Sequence, residues 1–99
     1  MSERKLGVVK EIVEAAGMNI SHVYEDLVFL NHNAILLQFT DDSNVLLLRI
    51  NQEAEAKEVD SGVVLLKQEA GAREMQFVES GSYALAQDGP EQVRIEFSP

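Results

Sequence analysis

The sequence predicts an α+β fold: an N-terminal helix, a three-strand antiparallel meander, a second helix and C-terminal antiparallel strands. Three observations carry this. Apolar residues recur at helical spacing between Leu6 and Ala16. Short apolar runs between Leu27 and Ile50 are bounded by Asn- and Asp-rich turns, and apolar and polar residues alternate through the last third of the chain. The 99 residues amount to a single domain over 1–99, with no linker, repeat or low-complexity stretch to divide it.

The first helix has Ser2 as a candidate N-cap and the stripe Leu6, Val9, Val13 and Ala16, flanked by Ile12. Gly17 supplies the left-handed stop, and Lys5, Glu11 and Glu14 make the wet face. The meander follows as Leu27–Leu30, the turn Asn31-His32-Asn33, a strand from Ala34 to Thr40, the turn Asp41–Asn44, and Val45–Ile50. Ile35, Leu37 and Phe39 share one face, as do Leu46, Leu48 and Ile50. Leu36, Val45 and Leu47 point the other way, so these strands are apolar on both sides and the second side needs a helix or another subunit to cover it.

Between the sheets, Asn51 is a candidate cap for a helix whose stripe is Ala56, Val59, Val63, Leu66 and Ala70, ended by Gly71. Gly62 and the pair Val63-Val64 oppose a helix, and a strand over Val63–Gln68 is the competing reading. Met75 and Phe77, then Tyr83 and Leu85, then Val93, Ile95 and Phe97 read as three strands with one buried face. Ser80-Gly81 and Asp88-Gly89-Pro90-Glu91 read as the turns that join them.

The charge limits the partners. Seventeen acidic residues against 8 basic ones leave −9, which repels nucleic-acid phosphates and anionic membrane and favours a basic protein partner. There is no cysteine, which removes disulfides, thiol catalysis and zinc-thiolate sites. No apolar run approaches the ~20 residues of a spanning helix, and the charged start Met1–Lys5 leads into no signal-like stretch. The chain is expected to be cytoplasmic.

No constellation commits to a chemistry, so no catalytic residue, metal site or cofactor is expected. His22 lies near Glu25 and Asp26 in sequence and is ten residues from His32, with no recognised ligand spacing. Asp41-Asp42-Ser43-Asn44 lacks the glycine and distal glutamate of a calcium loop. Gly-x-Ser-x-Gly and the phosphate-cradling glycine motifs are absent. The remaining feature is the apolar surplus of Leu36, Val45, Leu47, Val59, Val63 and Leu66, either core or an interface with a second copy or a client.

The helix Leu6–Ala16, the meander Leu27–Ile50, a mid-chain helix and the closing stretch Phe77-Val78-Glu79-Ser80-Gly81-Ser82-Tyr83-Ala84-Leu85, running into Val93–Phe97, together resemble type III secretion chaperones. The likeness is one of element order and periodicity. It implies an acidic homodimer without enzymatic activity that binds an extended segment of a secreted client. The mid-chain helix would then form the dimer, and the first helix with the meander would form the client surface. The expected function is a small acidic protein-binding or adaptor module, homo-oligomeric, with a partner the sequence does not name. The alternative is a small-ligand or metal-binding domain using His22, His32 and nearby acids.

Overall fold

In a computed structural model, which describes residues 5–31, 34–87, 89–90 and 92–98, helix α1 spans Leu6–Ala15. Its stripe buries Val9, Ile12 and Val13. The helix ends as Gly17 requires. At φ 79° this residue donates its N–H to Glu14, and the Met18 N–H reaches back to the Val13 carbonyl, both at 3.0 Å. Ser2, the expected cap, lies outside the described residues, and Lys5 occupies the cap position without a side-chain capping bond.

Strands β1 (Ile20–Tyr24), β2 (Leu27–Leu30), β3 (Ile35–Phe39) and β4 (Val45–Asn51) form an antiparallel meander of four strands, one more than expected. β1 escapes the pattern because four of its five residues are exposed, so no apolar alternation marks it. Pairing with β2 holds it, through a bulge at Ser21 and a two-residue turn at Glu25-Asp26. His32 and Asn33, of the turn expected from the sequence, lie outside the described residues.

Helix α2 spans Ala56–Ala72, so residues 63–68 are helix and not strand. Gly62 has a packing reason. A Cβ there would lie 1.9 Å from the Met18 Cε, so the glycine lets α2 cross closely over the end of α1. The ends differ from the expectation. Asn51 closes β4 and accepts the Glu53 N–H at 2.8 Å, while Glu55 holds the cap position. The chain passes through Gly71 and reverses at Glu74, which adopts φ 60°; Met75 N–H then bonds to the Ala70 carbonyl at 2.8 Å.

The 17 residues of α2 return the chain by about 25 Å, matching the length of β4. The next strand therefore starts beside the beginning of β4, with Gln76 opposite Val45, and runs parallel to it. This corrects the expectation of antiparallel strands throughout: the six-stranded sheet, in order β1 to β6, is mixed.

A second correction concerns Ser80-Gly81, which is no hairpin turn. β5 runs unbroken from Gln76 to Gln87, and β6 (Val93–Ser98) pairs with its second half, giving two terminal strands instead of three. Leu48 faces Glu79 but Ile50 faces Ser82, so β5 carries one extra residue there, with Gly81 at φ 93°. That residue switches the side-chain parity. Phe77 pairs beside Leu46 on one face of the sheet, whereas Tyr83 pairs beside Asn51 on the other. Asp88 and Glu91 of the final turn lie outside the described residues.

Both helices cover the same face. Val9, Ile12 and Val13 of α1 and Val59, Val63, Leu66 and Ala70 of α2 share one core with Val28, Leu30, Ile35, Leu37, Leu46, Leu48 and Phe77. The opposite face has its own smaller core of Leu27, Phe29, Leu36 and Tyr83, joined by Ile95. No described helix lies over it. Among the described residues, no helix is long and apolar enough to cross a membrane.

Candidate functional site

The helix-free face is built by side chains that alternate away from the main core. In register these are His22 and Tyr24 on β1, Leu27 and Phe29 on β2, Leu36 and Gln38 on β3, and Val45, Leu47, Arg49 and Asn51 on β4. Tyr83 and Leu85 of β5 and Val93, Ile95 and Phe97 of β6 complete it. The sheet twists and curls until its two edges approach, since β1 and β6 line one cleft. That cleft has a volume of about 390 Å³ and is lined by His22, Tyr24, Phe29, Leu85, Val93 and Ile95.

Its floor is fixed. Phe29 meets the Tyr83 ring edge-on at 6.2 Å between centroids and lies 6.1 Å from the His22 ring. Tyr83 has no exposed surface, and its hydroxyl is hydrogen-bonded to the Asn51 side chain. Burial pushes its pKa from 10.0 up to about 12, against a smaller opposing effect of that bond, so the phenol stays neutral at physiological pH. The rim is wet: Tyr24 is 56% exposed and Val93 65%.

Beside the cleft, polar side chains form a chain across β2, β3 and β4. Gln38 donates to Asp26 at 3.1 Å and accepts from the Nη1 of Arg49. The Arg49 guanidinium lies 4.3 Å from the centroid of the Phe97 ring, a cation–π stack. Its Nε is buried and has no hydrogen-bond partner among the described residues.

The six candidate interface residues do not gather in one place. Val59, Val63 and Leu66 are in the main core under α2, and Leu36 is fully buried in the small core of the other face. Val45 and Leu47 are half-buried on the helix-free side. The second helix thus packs on the face opposite Leu36, Val45 and Leu47, not over them. On α2 the exposed apolar residues are instead Val64 and Leu65, at 54% and 43%. Among the described residues no three His, Asp or Glu side chains cluster to hold a metal, and His32 lies outside them.

Sequence reasoning passes over Tyr24 and Arg49 and expects Phe97 and Val93 on a buried face, whereas both are exposed. One signal was present: Arg49 interrupts the apolar run Val45–Ile50, a charge within a strand that is apolar on both sides. No protein-family model, curated protein or solved structure matches the chain.

Proposed function

We propose that this chain is a non-catalytic protein-binding module whose contact surface is the helix-free face of the sheet. The observation that supports it most is the apolar rim. Tyr24, Leu85 and Val93 stand together around one cleft with a third or more of each side chain in water, and the half-exposed Phe97 lies two residues from the cleft-lining Ile95 on β6. Grouped apolar exposure of this kind on a folded domain marks an interaction surface. The acidic charge of −9 steers a basic partner toward the molecule and adds to the on-rate more than to the affinity.

The test is capture of partners by the tagged protein with two aspartate variants, Val93→Asp on the sheet face and Val64→Asp on α2. Val93→Asp should lose a partner that wild type and Val64→Asp both retain. Retention by all three would remove the sheet face as the contact surface. We extend the proposal to a homodimer, with the exposed Val64-Leu65 pair of α2 as its seam. Leu65→Asp should then sediment as a monomer at concentrations where wild type is dimeric.

A second reading, a small-ligand site, has one observation in its favour: about 390 Å³ falls within the range of ligand pockets. It requires a metabolite that raises the melting temperature of wild type and not of His22→Ala.

A further inference from the structure

The helix-free face carries a cation, Arg49, with no ion-pair partner among the described residues. Among the described residues Arg49 is the one Lys or Arg that the strands present on this side, and no carboxylate lies within ion-pair distance of it. Ion pairs elsewhere, Lys67–Glu79, Arg73–Glu69, Arg73–Glu11 and Arg94–Glu96, show that acidic partners are plentiful away from this face. Geometry adds a direction. Nη1 is taken by Gln38, and Gln38 is held in turn by Asp26. Among the described residues Nε has no partner and no hydrogen bond is made by Nη2; together they form the side-on edge of a guanidinium, which fits a carboxylate with two parallel hydrogen bonds.

We infer that this face receives the apolar C-terminal tail of a partner chain, with its terminal carboxylate on the side-on edge of Arg49. The tail's last apolar side chains enter the cleft lined by Phe29, Leu85, Val93 and Ile95. Arg49 and the cleft are within one extended segment of each other. Phe97, stacked on Arg49, and Ile95, in the cleft wall, are two residues apart on the same side of β6, about 7 Å along the strand. Phe97 stacks on the guanidinium and is 47% exposed on an edge strand, and because Nε is buried this ring must move aside for the carboxylate to dock. One exposed cation–π contact is exchanged for charged hydrogen bonds.

Two features select a tail over other carboxylates. The net charge of −9 repels a segment rich in Asp and Glu, whereas a chain end brings one carboxylate on an otherwise neutral or basic segment. The cleft is open-sided, with Tyr24 and Val93 more than half exposed at its rim. A free small acid needs most of its surface enclosed, but a tail is tethered to a larger interface. The inference rests on the protein-binding reading of this face and names what that face recognises.

The experiment uses short fluorescent tails ending in each pair of apolar residues, made once with a free carboxylate and once as the amide, and titrated into the intact protein. A subset of the free acids should bind, their amides about tenfold to a hundredfold more weakly, as for loss of a charged hydrogen bond. Arg49→Gln should abolish that difference and Arg49→Lys should retain part of it, with melting curves showing that each variant is folded. The acid–amide comparison needs no variant at all. Acids and amides that bind equally would overturn the inference while leaving the protein-binding reading intact, because the face would still take a peptide. Binding by no tail, or saturation by octanoate as tight as by the best tail, would also overturn it. The protein-binding reading itself falls only on the Val93→Asp capture result.

Discussion

Raising the pH through the range from 10 to about 12 should destabilise the fold through one residue, Tyr83, which is fully buried and has its pKa pushed up to about 12. The direction follows from linkage. A raised folded-state pKa means the native state favours the neutral phenol, so the stabilisation is complete below the unfolded value of 10.0 and is lost as pH climbs to about 12. A gap of about two units corresponds to at most about 2.7 kcal/mol, and about half of it is already lost near pH 11. Against a total stability on the order of 5–15 kcal/mol this is measurable. Urea unfolding of wild type and Tyr83→Phe on either side of this range isolates the residue, because other titrating groups cancel in the difference. At about pH 11 the wild-type midpoint should fall by roughly 0.5–1.4 M more than the variant's. At neutral pH, Tyr83→Phe should cost about 1 kcal/mol for the lost bond to Asn51. A Tyr24→Phe protein, with Tyr83 as its one remaining tyrosine, should form tyrosinate only as pH approaches about 12. Parallel pH dependence in wild type and Tyr83→Phe, or tyrosinate appearing near pH 10 in the folded protein, would refute the second core as described.

Other substitutions read other parts of the fold. Glu74→Gly should raise stability by about 1 kcal/mol in thermal melts, because Glu74 holds a left-handed φ of 60° at the end of α2 that glycine adopts freely. Gly62→Ala should stay within about 1 kcal/mol of wild type, since the gain in helix propensity offsets displacement of the mobile Met18 Cε. Gly62→Leu should lose roughly 1–3 kcal/mol by overpacking at the same crossing. Leu66→Asp, which would give monomers if Leu66 faced a second copy, should instead abolish cooperative unfolding, because this side chain is fully buried in the main core.

The parts of the fold legible in the sequence are those set by local chemistry. The stripe of α1, the stop at Gly17, the three apolar strands of the meander and the helical stripe of α2 all express short-range spacing. β1 was hidden because an edge strand with four exposed residues of five has no burial pattern to display. The parallel pairing of β4 with β5 depends on the length of α2 relative to β4, a comparison between elements that no window along the chain contains. The interface candidates show the same limit. Periodicity marked Val59, Val63 and Leu66 as needing cover without saying that their own sheet supplies it.

Ser80-Gly81 joins these threads. A glycine at positive φ suits a tight turn and a bulge equally, so the dipeptide alone does not decide between two strands and one. The consequence of the bulge reaches the candidate site. Phe77 and Tyr83 have the same parity in sequence, and without the extra residue both would face the helices. With it, Phe77 completes the main core while Tyr83 fills the other face and packs against Phe29. The second half of β5 then carries β6 with Ile95 and Phe97 turned toward the helix-free side, where Phe97 meets Arg49. A single inserted residue thus divides one continuous strand between two duties. Its first half holds the domain together, and its second half builds the wall of an exposed apolar cleft and carries the strand that stacks Phe97 on Arg49.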